Sequence, residues 1–305
     1  GSRFGADAMY QGTNRRSGAM ISYFVKPEKK KSPAATKTDK KNENTKKTET
    51  LAKKDSIKLE IFDGDRLIRT LKKKTPEKMG IHRWYWYMNE KGVSRPSRRI
   101  TSLKTEPSGV KAKPGKYKLV MTYGDSKSEQ TLNVANDPRL NVSKKSIDEV
   151  YNSSKVLESY MSKASEAVKQ LVESKQSISE YQKLFKNDKS EDMKKLLKEM
   201  KDHTKSIDSL IALYLGKEDK RQGIVRNPES TVMTRLYGAS TYVRSRQNGI
   251  SKTEKDLMNH AKKELENALI KTNSFFNEKW PALRSKIEKK NISQFKEIKD
   301  FNLEN

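Results

Sequence analysis

The period of the apolar residues changes once along this chain, at Asp137-Pro138-Arg139, and that change limits the possible folds more than any other feature. Before it, apolar side chains alternate with polar ones, the pattern of a strand with one face buried. After it they recur every three or four residues, the pattern of an amphipathic helix. On the strand side, SGAMISYFV (17–25) reads as one buried strand, short and apolar, with Gly18 before it and Pro27 after it. SIKLEIFD turns Ile57, Leu59 and Ile61 inward against Lys58, Glu60 and Phe62, and Asp63-Gly64-Asp65 signals a hairpin returning through RLIRTLK. GIHRWYWYM forms the next strand, closed by Asn89-Glu90-Lys91-Gly92. Residues 93–113, with Pro96, Pro107 and Gly109, read as irregular. Pro114-Gly115 is a turn, and KYKLVMTYG and SEQTLNVAN pair through Gly124-Asp125. Short strands with turns at this spacing predict an all-β sandwich.

On the helical side, Ser146-Ile147-Asp148-Glu149 has the form of a capping box. A stripe of Ile147, Val150, Tyr151, Leu157, Tyr160, Met161, Ala164, Val168 and Leu171 follows, in a helix running to about Leu184. Asp188-Lys189-Ser190-Glu191 starts a second helix, with Met193, Leu196, Leu197, Met200, Ile207, Leu210 and Leu213, stopped near Gly216. Asn227-Pro228 caps a third, carrying Val232, Met233, Leu236, Tyr237, Ser240 and Val243. Ser251-Lys252-Thr253-Glu254 caps a fourth, with Leu257, Ala261, Leu265, Ala268, Leu269, Phe275, Phe276 and Trp280, and Pro281 kinks or restarts it before Leu283 and Ile287. Four such helices with short loops predict an up-down four-helix bundle. The expected fold class is therefore α+β and multidomain: a sandwich over 55–137, a bundle over 138–295, and a tail over 296–305.

Composition narrows the function classes. With 305 residues the chain holds two ordinary domains, and with 32% hydrophobic and 34% charged residues it is lean but periodic. No window approaches 18 apolar residues, so no transmembrane helix is expected. The start, GSRFGADAMYQG, lacks the plan of a signal peptide and reads as the cut edge of a longer protein. Absence of cysteine removes disulfides, thiol nucleophiles and thiolate metal sites. The net charge of +27 points to anionic partners, yet lysine greatly outnumbers arginine, and Lys26–Lys54 lacks aromatics for base stacking. That argues against nucleic acid. Residues 27–54 bury too little apolar surface to offset their ordering entropy, and they read as a disordered Lys-rich linker or loop. Binding to lipopolysaccharide, another anionic surface or nucleic acid through this segment is the alternative it leaves open.

Nothing in the sequence assembles a catalytic, cofactor or metal site. His82, His203 and His260 have no second histidine at ligand spacing, and each reads as a surface histidine. Asp63-Gly64-Asp65 lacks the further oxygens and closing Glu of a calcium loop. GxSxG, HExxH, Walker and GxGxxG motifs are absent. Most acidic residues fall on lysine-rich helix faces, where they form weak pairs. The chemistry lies instead in Trp84-Tyr85-Trp86-Tyr87, a strand aromatic on both faces. Trp84, Trp86 and Met88 share one face and suit a core, joined by Tyr117. Arg83, Tyr85, Tyr87 and Asn89 share the other. Tyrosine combines an apolar body with a wet end, so Arg83, Tyr85 and Tyr87 form the candidate interface, packed on the helices or on a missing neighbour.

Five segments in order resemble one family. RFGADAMYQGTNRRSGAMISYFV is similar to the segment leaving the β-propeller of large bacterial sortilin-like, BNR-repeat "glycosyl hydrolase" proteins of Bacteroidetes type, with Gly18-Ala19-Met20-Ile21-Ser22-Tyr23 as its first strand. IKLEIFDGDRLIRTL resembles their I-x-D-x-x-G-x-x-I-R hairpin, and GIHRWYWYM their Gly-Ile-Asn-Arg-x-x-Trp-Asp strand through Gly80, Ile81, Arg83 and Trp86. VKAKPGKYKLVMTYG resembles their Pro-Gly-x-Tyr hairpin, and Asp137-Pro138-Arg139 their exit into helices. Tyr87 stands where those strands carry Asp, and Lys26–Lys54 is an insertion. The resemblance implies an Ig-like or fibronectin-III-like sandwich, with 1–26 as propeller exit and first strand. It further implies a periplasmic, outer-membrane-associated or secreted bacterial setting. The expected partner is a β-propeller or another envelope protein, and the expected role is non-catalytic scaffolding. A carbohydrate-gripping module of a glycoside hydrolase is the alternative.

Overall fold

The computed structural model describes residues 16–27, 56–100, 102, 105–218 and 230–290. The expectations for the Lys-rich segment and the C-terminal tail lie outside them, whereas the cap expected at Asn227-Pro228 is corrected: the third helix begins at Val232, and Thr231 caps it in a box with Thr234. The chain is α+β with antiparallel sheets, and it divides into two compact units. The first holds the strands. The second holds the helices together with Val93–Ser102.

In the first unit, a four-stranded antiparallel sheet runs β3 (Arg66–Lys74), β2 (Ser56–Asp63), β7 (Gly115–Tyr123), β8 (Ser126–Val134). Two-residue turns, Gly64-Asp65 and Gly124-Asp125, close both hairpins, with φ of 59° and 56° at the glycines. Those left-handed angles are why glycine stands there. A second, two-stranded sheet pairs β1 (Ala19–Val25) with β4 (Gly80–Trp86). A third pairs β5 (Asn89–Lys91) with β6 (Ser108–Lys111). Strand β6 lies inside the stretch that the sequence marks as irregular. Its four residues bury only Val110, too little pattern to register as a strand.

Leu59, Ile61, Ile68, Trp86, Tyr117 and Leu119 form the buried core of this unit, with Ile21, Trp84 and Met88 packed against it. Strand β2 sits centrally, so its alternating Ile57, Leu59 and Ile61 are at most 1% exposed. Trp86 is fully buried: its ring meets Tyr117 edge-on at 5.3 Å, and its Nε1–H donates to the Asn89 carbonyl at 2.9 Å. Gly18, at φ 101°, passes so close that an added Cβ would lie 2.5 Å from the Trp86 carbonyl oxygen. Strand β4 ends sooner than expected, because Met88 turns left-handed at φ 52°. Arg69 reaches across the unit to donate to the carbonyls of Glu90, Glu106 and Pro107, while Arg66 grips Glu90 with both terminal nitrogens (2.9 and 3.1 Å).

The second unit contains α1 (Lys144–Leu184), α2 (Glu191–Leu215), α3 (Val232–Ser245), α4 (Lys252–Ser274) and α5 (Trp280–Glu288). Helix α1 starts one residue after Ser143, whose hydroxyl accepts from the Ser146 amide at 3.1 Å. The cap is thus three residues earlier than Ser146, and Ser146 occupies the box position that Glu149 was expected to fill. Ser190, rather than Asp188, caps α2. Gly216 ends α2 at φ 78°. The box on α4 is as the sequence predicts: the Ser251 amide donates to Glu254 at 2.8 Å. A π turn over Phe275–Lys279 separates α4 from α5, with the Trp280 amide bonded to the Phe275 carbonyl five residues back. Pro281 supplies the reason, since it has no amide to donate and its ring crowds the carbonyl four residues before it. One core joins the helices, including Leu157, Val168, Leu171, Met200, Ile207, Leu236, Val243 and Leu265. Buried Tyr214 meets Thr272 in it, hydroxyl to hydroxyl at 2.9 Å. Among the described residues, no helix is long and apolar enough to cross a membrane.

Two measurements check this arrangement. Replacing Trp86 by Ala should destabilise the strand unit by ~3–5 kcal/mol, read by urea unfolding, whereas Ile81→Ala, 76% exposed in the wild type, should shift it by under ~0.5 kcal/mol. The Glu254 carboxyl, held by Arg246 and the Ser251 hydroxyl and amide, titrates at about 2. A depressed carboxyl stabilises the fold above its unfolded value of ~4.3 and loses that contribution as pH falls towards 2. Helical-unit stability should therefore drop across that window, and Glu254→Gln should flatten the drop in an acid titration followed by circular dichroism.

Candidate interaction surface

Side chains on a strand alternate, so seating Trp84 and Trp86 against the core sends Tyr85 outward. The register carries the alternation across the pair. Ala19 faces Trp86 and Ile21 faces Trp84 on the inner side, while Met20 faces Tyr85, Ser22 faces Arg83 and Phe24 faces Ile81 on the outer side. Met20 is 51% exposed, Phe24 65% and Ile81 76%, and Tyr87, just past the strand, is 60% exposed. Tyr85 is half-buried, with the Arg16 guanidinium 5.6 Å from its ring centre. The segment SGAMISYFV is therefore not one buried strand. It is covered on one side only: Ala19 and Ile21 pack against the core, while Met20, Ser22 and Phe24 on the alternate side are exposed.

This outer face is apolar with cationic points. Neither β1 nor β4 contains an acidic residue, and exposed Arg83 has no carboxylate partner among the described residues. Covering one of its large apolar side chains with a partner would contribute ~1.5–3 kcal/mol. Of the residues singled out in the sequence, Arg83, Tyr85 and Tyr87 lie on this outer surface, while Trp86 and Tyr117 are buried and Trp84 packs beside them. Sequence reasoning missed Met20, Phe24 and Ile81. The available signal was that both alternating sets of SGAMISYFV are apolar, so one of them had to be either doubly covered or bare.

The remaining chemistry is dispersed. His82 lies in β4, its Nε2 2.9 Å from the Lys78 carbonyl oxygen; His203 lies in α2, its ring nitrogens against the Glu199 and Lys279 carbonyls; and His260 is exposed on α4. No group of three His, Asp or Glu placed to hold a metal occurs among the described residues. Asp63 accepts from Arg66 at 3.0 Å as part of its turn. In the helical unit a cleft of about 690 Å3 is lined by Arg98, Arg99, Lys175 and Asp208 among others. Two of its charges are engaged within it: Lys175 pairs with Asp208 at 2.5 Å, and Arg98 donates to the Gly216 carbonyl that ends α2. The carboxyls of Glu129, Asp137, Asp188 and Glu254 are all drawn below their ordinary range, chiefly by hydrogen bonds from neighbouring side chains or amides. A general acid working near neutrality needs the opposite shift.

Comparison with known protein families, curated proteins and solved structures returns no match to this chain.

The bareness of this face is directly measurable. The double variant Phe24→Ser with Ile81→Ser should keep the wild-type unfolding midpoint to within ~0.5 kcal/mol, since surface positions contribute little to stability. It should also lower the fluorescence of an added apolar dye. Unchanged dye binding would mean that these side chains are covered.

Proposed function

We propose that this chain is a non-catalytic protein-interaction module of a cell-envelope or secreted protein. The observation that carries the reading is the outer face of β1 and β4, where Met20, Phe24, Ile81 and Tyr87 stand at least half exposed around Arg83. Contiguous apolar surface of this kind marks interaction sites in soluble proteins. Its mixture of aromatic, aliphatic and arginine side chains is also the mixture enriched where partners bind.

The finer architecture belongs to the same reading. The shared core of Leu59, Ile61, Trp86 and Tyr117 supports an Ig-like or fibronectin-III-like sandwich, and the common helical core supports a four-helix bundle. The ordered resemblance from Arg3 to Arg139 supports placement beside a sortilin-like β-propeller, as a C-terminal scaffold.

Site-specific photo-crosslinking tests the reading. A benzophenone amino acid at position 81 or 87 should give a discrete adduct with one protein of a bacterial envelope extract, a reference at Lys127 should give none, and Phe24→Asp should abolish the adduct. Retention on a glycan array that is lost in Tyr87→Ala, without any protein adduct, would replace it with the carbohydrate-gripping reading. Salt-sensitive binding to lipopolysaccharide that disappears on deleting residues 28–54, again without an adduct, would move the function to the Lys-rich segment.

A further inference from the structure

We propose that the solvent face of α3 is a second docking surface, which takes an acidic protein segment between two Tyr–Arg rows. The inference does not depend on the β1–β4 face. It starts from composition. Helix α3, VMTRLYGASTYVRS, contains no Asp, Glu or Lys. The other long helices balance their outer faces internally, through Lys155–Glu158 and Lys169–Glu173 on α1, Glu191–Lys194 and Asp202–Lys205 on α2, and Lys262–Glu266 on α4. Helix α3 has no such pairs available.

Its inner face is fully committed to the core, since Val232, Leu236, Ala239 and Val243 are all 0% exposed. Its outer face presents Tyr237 at 55% and Tyr242 at 53% exposure, with Arg235 and Arg244 also exposed. Residues seven apart lie nearly in line along a helix at 3.6 residues per turn. Tyr237 with Arg244 therefore makes one row and Arg235 with Tyr242 another, in opposite order. At their centre is Gly238, where an added Cβ would meet nothing within 4 Å. Arg244 is pre-aimed: its Nε donates to the Ser240 carbonyl at 3.0 Å, which leaves the outer nitrogens free for a ligand. Neither Arg235 nor Arg244 has a carboxylate partner among the described residues.

Folding does not require this face. Glu and Lys are the better exposed helix formers, and they fill that role elsewhere in the chain. Charge selects the occupant. A face with two arginines and no acid repels a second copy of itself and attracts carboxylates, which the planar guanidinium fork can bind bidentately. Two exposed tyrosines, each two turns along the helix from one of those forks, complete a Tyr and Arg composition of the kind enriched at the energetic centres of protein interfaces.

Fluorescence anisotropy at physiological salt tests this on the full chain. The probe is a fluorescein-labelled synthetic helix with Glu and Leu at helical spacing, compared with a scrambled peptide of the same composition. The ordered probe should bind about tenfold tighter than the scrambled one, and Tyr237→Ala with Tyr242→Ala should erase that difference. Arg235→Glu with Arg244→Glu should weaken binding by at least about tenfold, whereas the charge-matched Lys195→Glu with Lys198→Glu on α2 should change it by less than about twofold. Circular dichroism should show all three variants folded. Equal binding of both peptides, or equal loss in the α2 variant, overturns the proposal. So does displacement of the probe by duplex DNA with the same sensitivity to the α3 changes, which would make the face a general polyanion site. A dimer in sedimentation that Arg235→Glu dissolves would assign the face to a second copy instead.

Discussion

The inward seat of Trp86 is the constraint on which the strand unit and its surface both rest. The indole meets the edge of Tyr117 and bonds the Asn89 carbonyl, while Gly18 passes the Trp86 backbone carbonyl where no Cβ fits. Because the side-chain period of a strand is two, this one placement sends Tyr85 to the opposite face. The register of β1 on β4 then sends Met20 and Phe24 outward as well. A slip of one residue would drive Tyr85 into the core and strand two indoles in water. The exposed apolar face is thus not a packing failure. It is the complement of a well-specified core, in a sheet with two strands and one covered side.

The parts of the fold that were legible in the sequence are those set by neighbours in the chain. The hairpins at Gly64 and Gly124 need only local turn chemistry, and the alternation of Ile57, Leu59 and Ile61 needs only a period. The change from sheet to helix at Asp137 and the box at Ser251 are equally local. What escaped depends on distant partners. Whether another layer packs on the outer side of β1 decides whether Phe24 is buried, and no pattern within β1 contains that fact. Strand β6 exists through its pairing with β5 and through Arg69 holding the Glu106 and Pro107 carbonyls. Val93–Ser102 groups with helices that come later in the chain, an attachment made by contacts such as Arg98 to Gly216. On α1, Ser143 and Ser146 both carry a capping hydroxyl; the earlier one lengthens the helix by most of a turn, a gain visible only once the start of the helix is built. On α3, Tyr237 falls beside the apolar stripe by period, yet the buried stripe is only four residues wide and leaves it out.

The charge of the chain takes on a different meaning once it is located. Much of the lysine in the helices stands beside Glu or Asp, in pairs that individually contribute little. Such pairs make a helix face electrically quiet. The β1–β4 strands and α3 instead carry cationic side chains without acids, and both combine arginine with tyrosine on their exposed sides. An arginine with no carboxylate partner keeps its full attraction for an incoming carboxylate, because no internal partner must first be displaced.

An unpaired strand edge with exposed Phe24 and Ile81 is also a hazard, since identical edges can pair with one another. Here the same features that invite a partner exclude the wrong one. Two copies approaching through this face bring Arg16 and Arg83 against their equivalents, within molecules that each carry +27. Like charges across an interface oppose close approach, whereas an acidic partner gains from the same field before any apolar contact forms. On the proposed interaction role, the positive charge would act as a filter on the apolar surface, disfavouring a second copy and favouring a partner that can neutralise it. That selectivity weakens as added salt screens the charges beyond about 8 Å at physiological ionic strength, while the apolar contact does not. Separating the two dependences distinguishes recognition by a specific acidic partner from simple adhesion.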